Sequence, residues 1–247
     1  MTARVPEPSG GVADTLRTLI FQPGVLTRAR LEGRPTRYVA LERLLLAFAG
    51  AYLVLVFVQT RGPSAPSPEV ASLCASSDGQ GADLTSLIGG TGGDGRISPA
   101  GGRLLALAGR ALCDPAPFTR AFAFAIPIAF LLLIPLFAWL MQVAFRTQMP
   151  GFHGNWIYAV ESHAALFALL TGLALESFIG SFLLGFLCSV AGIVYLSWNL
   201  VAGVRVAYGV STRAAKWKTT VVGVGYAVCL VAAVGLLMWA MLARTLA

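Results

Sequence analysis

The sequence predicts an all-α polytopic membrane protein: five transmembrane helices, the N-terminus cytoplasmic and the C-terminus outside. Three observations carry that expectation. The 247 residues are 57% hydrophobic and only 12% charged, with a mean hydropathy of +0.75. That balance excludes a water-soluble globular domain, a disordered chain and a coiled coil. Five stretches are apolar over roughly the 20 residues needed to cross about 30 Å of hydrocarbon. Lys and Arg also fall unevenly between the intervening segments, which orients the spans.

Residues 1–40 read as a cytoplasmic amphipathic segment. Asp14 or Thr15 can open a helix carrying Leu16, Leu19 and Ile20 at i, i+3, i+4 spacing. Gln22-Pro23-Gly24 breaks it, and a second short helix runs to about Glu32 and ends at Gly33. Two readings stand open. The pair lies on the cytoplasmic leaflet with its arginines among headgroups, or the charge merely fixes topology.

Residues 41–247 form the membrane domain. Its spans are placed at about 41–59, 121–145, 157–175, 181–204 and 220–243. The first contains the run LLLAFAGAYLVLVFV behind a basic stretch, too far into the chain for a cleavable signal, so it is expected to persist in the mature protein. Only Glu176 to Gly180 separate the third span from the fourth, which predicts a tight antiparallel pair. Pro127 and Pro135 are expected to kink the second. The tryptophans fall mostly near span ends and read as interfacial anchors.

Residues 60–119 form an extracytoplasmic loop rich in Gly, Ser, Pro and Ala, with one short helix conceivable over 101–112. Cys74 and Cys113 lie there. In an oxidising compartment they can pair, closing about 40 residues for roughly 4 kcal/mol on the chain-entropy model; otherwise they are two free thiols. Cys188 and Cys229 lie in spans and read as small packing residues.

With the N-terminus inside, the 18 Lys and Arg divide twelve inside to six outside. The net charge of +7 therefore points to an anionic membrane surface rather than to nucleic acid. The predicted location is the bacterial cytoplasmic (inner) membrane. The predicted partners are lipids with anionic headgroups, with a membrane-protein partner or a second copy of the chain also open.

The stretch DTLRTLIFQPGVLTRARLEGRPTRYVALERLLL, residues 14–46, resembles the start of a bacterial membrane family called domain of unknown function 3667. IPIAFLLLIPLFAWLMQVAFR (126–146) is similar to that family's second span, Tyr158 and His163 stand where its next span opens, and VAYG (206–209) is similar to the motif closing its fourth. The resemblance covers about residues 14–59 and 120–243. It implies a fold like that of the Yip-type five-span proteins and almost nothing about activity. The chain departs from the family in lacking an N-terminal Cys-x-x-Cys segment. It also has Leu169 and Thr171 in the stretch where many members carry further histidines, which puts a multi-histidine metal site in doubt.

Ionisable groups inside spans are costly and mark candidate sites. Glu161 and His163 are two residues apart, about 200° apart on a helix, so they cannot pair with each other. They are either a proton-relay or headgroup site, or hydrated interfacial residues with His163 bonded to a neighbouring helix. Glu42, Arg43, Gln142, Arg146, Asn199 and Arg205 fall at the same depth. This belt either converges on a lipid phosphate, for which arginine offers a bidentate fork, or faces outward as a topology signal. Arg28, Arg30, Arg34 and Arg37 extend it toward the N-terminus. On the fourth span Gly185, Cys188, Gly192, Tyr195, Asn199 and Gly203 share one face, suited to close helix packing or, less simply, to a substrate groove.

There is no Walker loop, H-E-x-x-H or G-x-S-x-G, and the only histidines are His153 and His163. The expectation is therefore a non-enzymatic integral membrane protein that organises lipids or partner proteins, without cofactor or metal. The alternative is a small-molecule or lipid transporter using the region around Glu161 and His163. An intramembrane enzyme acting on lipid has the least support.

Overall fold

The structure, a computed structural model, describes residues 11–33, 38–61, 115–149 and 151–246. Arg34, Arg37, the helix over 101–112 and the Cys74–Cys113 pair lie outside the described residues. Among the described residues every regular element is helical. In order they are α1 (Val12–Phe21), α2 (Val25–Leu31), α3 (Leu41–Gln59), α4 (Pro115–Leu132), α5 (Ile134–Ala144), α6 (Phe152–Glu176), a 3-10 turn (Ser177–Ile179), α7 (Phe182–Tyr208) and α8 (Thr212–Leu246). Helices α3, α6, α7 and α8 are each long and apolar enough to cross a membrane; α4 and α5 qualify only together, as a bent pair, so the spans number four or five.

The break between α4 and α5 falls at Leu133, two residues before Pro135, and turns the axis by 45°. Proline lacks an N–H and is tolerated in a first helical turn, where that donor has no partner anyway. Pro127, by contrast, sits inside α4 without ending it.

The chain divides into two compact units, Met1–Val56 with Ile126–Val234, and Phe57–Ala125 with Gly235–Ala247. In the second, Arg120 Nε donates to the Thr60 carbonyl at 3.1 Å and the Arg61 guanidinium lies 4.2 Å from the centre of the Phe57 ring. The first contains the core. Helix α6 is its axis, packed on α5 and α7. Ala159, Ala164 and Ala165 keep that helix slim, so Phe137, Ala138 and Met141 of α5 approach closely and are buried with Tyr158 and Phe167. In lipid such close packing replaces the hydrophobic drive available in water. Among the described residues only 11% of the apolar window of α7 and 6% of that of α8 is buried.

The two N-terminal helices exist, and part of their apolar surface is turned to protein. Leu19 and Leu26, with Thr15 and Thr27 beside them, are at most 1% exposed, and α1 and α2 pack on α6 while α2 also meets α7. Phe21 remains exposed. The start differs too. Gly11 caps α1, and the Thr15 hydroxyl, instead of capping, donates back to the Gly11 carbonyl at 3.0 Å and accepts from the Val39 N–H at 3.2 Å.

Candidate functional site

The turn between α1 and α2 is built on Gly24, whose φ of 82° is left-handed and favours glycine. Its position demands glycine a second time, because a Cβ there would overlap the Gly203 carbonyl of α7. Gly203 in turn leaves room for the Tyr158 hydroxyl, 2.9 Å from where its own Cβ would stand. The turn is thus pressed against α6 and α7 at a place where only small residues fit.

That approach carries the α2 N-terminus onto Glu161 of α6. Glu161 Oε1 accepts the Gly24 N–H at 2.7 Å, and Oε2 accepts the Thr27 N–H at 2.8 Å together with the Thr27 hydroxyl. The first N–H groups of a helix have no intrahelical partner, and the helix dipole adds positive potential there. A carboxylate satisfies both demands. Glu161 is 3% exposed, so the hydrated, interfacial position open to it on sequence grounds is not the one it occupies.

His163, also 3% exposed, is likewise held on both sides. Its Nδ1 is 2.8 Å from the Ala159 carbonyl, which can only accept, so Nδ1 carries the proton. Nε2 lies 2.8 Å from the Tyr226 hydroxyl of α8, which donates to it in the neutral ring. The edges of Phe130 and Phe137 close around the imidazole, with centroids at 6.4 and 5.4 Å. Glu161 therefore ties α6 to the N-terminal hairpin, and His163 ties it to α8.

The remaining belt resolves into separate groups. Arg30 donates from both terminal nitrogens to Glu42 at 3.0 and 3.3 Å, joining α2 to α3. Arg28 pairs with Glu32 one turn along at 2.9 Å. Asn155 donates to the Gln142 side chain and accepts from the Tyr208 hydroxyl at 2.8 Å. Asn199 donates to Tyr195, whose hydroxyl donates to the Ile20 carbonyl of α1 at 3.1 Å. Lys218 donates to the Ala144 carbonyl at 2.7 Å over the ring of Phe145. Arg43 and Arg146 are exposed. Among the described residues no buried side-chain nitrogen or oxygen lacks a partner, and no group of three or more His, Cys, Asp or Glu is placed to hold a metal.

Two arginines from different elements do share an opening. Arg28 of α2 and Arg205 of α7 line a groove of about 390 Å³ with Ala202, Val206, Gly209 and Val210. Gly209, at φ 65°, ends α7 and accounts for the small wall on that side. The next depression along the chain is lined by Arg213, Lys216 and Trp217 at the start of α8. The structure therefore places Arg28, paired with Glu32, beside Arg205, commits Arg30 to Glu42, makes Glu161 and His163 helix-to-helix ties and holds Asn199 on Tyr195 of its own helix. The partners Thr27, Asn155, Tyr208 and Tyr226 were not among the sequence candidates. Thr27, on the third residue of a short helix after a Pro-Gly break, was the most readable of them, as a position where a cap is needed. No family model matches the chain, nor does any curated protein or solved structure.

Proposed function

We propose that this chain is a non-enzymatic integral membrane protein that holds anionic lipid at its cytoplasmic face. In this reading it lies in the bacterial cytoplasmic membrane with its N-terminus inside and its C-terminus outside. The observation that carries the proposal is the groove shared by Arg28 and Arg205, with the depression lined by Arg213 and Lys216 following it along the chain. Guanidinium groups meet phosphate oxygens two at a time, and the cytoplasmic leaflet is the anionic one. The twelve-to-six distribution of Lys and Arg supports the same orientation. The resemblance of residues 14–46 and 126–146 to the family called domain of unknown function 3667 agrees with a five-span architecture and adds no activity.

Glu161 and His163 are less suited to a transport route, because Glu161 is bonded to the N-terminal hairpin and both ring nitrogens of His163 are bonded, one to its own helix and one to α8. The test is native mass spectrometry of the full chain released from nanodiscs containing phosphatidylglycerol. Each cation near an anionic surface contributes about 1 kcal/mol, so Arg28→Gln with Arg205→Gln is expected to weaken retention about 30-fold. Unchanged retention overturns the proposal. Substrate flux in proteoliposomes that disappears in Glu161→Gln would favour the transport reading instead.

A further inference from the structure

A second opening lies on the other side of the N-terminal hairpin, between α6 and α7. It has a volume of about 400 Å³, within the roughly 300–1,000 Å³ of ordinary ligand sites. Small residues make it: Ala168 and Gly172 on α6, Ala191 and Gly192 on α7. At one end Tyr195 and Ile20 close it, joined by the tyrosine hydroxyl and the Ile20 carbonyl. At the other stands Glu176, the last residue of α6.

The length is informative. From Ala165 to Glu176 the lining advances eleven residues along α6, about 16 Å at 1.5 Å per residue. Half of a roughly 30 Å hydrocarbon core is about 15 Å. The groove is one leaflet deep. A partner helix about 10 Å across would have to continue through the other leaflet, and the Tyr195–Ile20 closure stands in its way. An acyl chain entering from the leaflet at the Glu176 end fits the depth and stops where the groove stops.

The polar end selects the headgroup. Glu176 is half-buried, and among the described residues no basic side chain or hydrogen-bond donor meets its carboxylate. It lies over Gly185 of α7, where a Cβ would sit 3.3 Å from Oε2. An ionised carboxylate here carries negative charge with no basic side chain beside it, and the C-terminal end of α6 adds negative potential to it. Both features favour a cation.

We infer that the α6–α7 groove is a binding site for one acyl chain of an amine-bearing lipid, with the ammonium of its headgroup against Glu176. This site differs from the basic groove in leaflet, in charge and in the residues it uses, and it depends on that proposal only for membrane insertion.

The test uses the full chain in nanodiscs of equal phosphatidylethanolamine and phosphatidylglycerol, released and weighed by native mass spectrometry. Wild type is expected to retain one phosphatidylethanolamine at least tenfold more often than phosphatidylglycerol at this site. Glu176→Gln keeps the shape and is expected to abolish the preference. Gly172→Leu fills the groove, and no atom lies within 4 Å of the position its Cβ would take, so the fold has room for it; the variant is expected to lose the lipid. Arg28→Gln with Arg205→Gln is expected to leave the preference intact, which separates this site from the basic one. Equal retention of the two lipids by wild type, an undiminished preference in Glu176→Gln, or a lipid still held by Gly172→Leu overturns the inference. So does a protein partner that displaces the lipid and is itself lost in Gly172→Leu.

Discussion

Glu161 is tolerable at 3% exposure only because three donors converge on it, two of them backbone N–H groups that a short helix cannot satisfy by itself. Removing the acceptor orphans buried donors at about 1–3 kcal/mol each. Glu161→Ala is therefore expected to release the N-terminal hairpin while the spans stay folded, and Glu161→Gln to do so less completely, because an amide returns one acceptor and brings a competing donor. Limited proteolysis reads this directly: cleavage after Arg28 and Arg30 should speed up by tenfold or more in the alanine variant. Gly24→Ala should give the same result by a different route, since a left-handed φ costs a side chain about 1–2 kcal/mol and the Cβ overlaps the Gly203 carbonyl as well. Gly172→Ala, in open space, is the control, and its cleavage rate should match wild type. At this scale the sequence was half legible. Glu161 stood out as a charge in a span, but its partners are more than 130 residues away, and no local spacing announces a pairing of that range.

Among the elements, the apolar helices were readable because length and hydrophobicity are local properties, and α3 runs over Leu41–Gln59 as its unbroken run suggests. What a helix faces is not local. The apolar side of α1 and α2 suits lipid and protein equally, and only the glycines at 24 and 203 let protein come close enough to take it. The two prolines of the second expected span looked alike, yet only the one near Leu133 coincides with a break, because Pro135 falls in a first helical turn and Pro127 does not. The α6–α8 tie was legible from one side only, His163 without Tyr226. Interhelical hydrogen bonds in membranes average about 0.6 kcal/mol and reach about 1.7. Tyr226→Phe is expected to destabilise by an amount in that range in mixed-micelle unfolding. The imidazole itself fills space between Phe130 and Phe137, so His163→Ala should cost more, by cavity formation. Once the histidine is gone, adding Tyr226→Phe should cost almost nothing further. Strictly additive losses would show that the hydroxyl and the imidazole do not interact.

For the molecule as a whole, the count of spans turns on α4 and α5. They are 18 and 11 residues long, about 27 and 16 Å at 1.5 Å per residue, and neither alone comfortably crosses about 30 Å of hydrocarbon. Joined through the single residue Leu133, they exceed that thickness. The bend between them is 45°, a deflection, whereas a re-entrant segment has to reverse its direction. Read as one bent crossing, the pair makes the number of crossings odd. On the proposed orientation the two termini then lie on opposite sides, with the side that carries the excess of Lys and Arg, and the N-terminus with it, in the cytoplasm. Paired reporters test this without disturbing any span. A green fluorescent protein is expected to glow when fused to the N-terminus and to stay dark when exported at the C-terminus, and alkaline phosphatase is expected to be active at the C-terminus alone. If both ends report the cytoplasm, α4 and α5 turn back within the membrane. The crossings then number four, and Glu176 lies two crossings from the N-terminus instead of three, on the cytoplasmic side. Arg205 would then fall on the side opposite Arg28, which precedes every span, so that outcome also conflicts with the groove the two share.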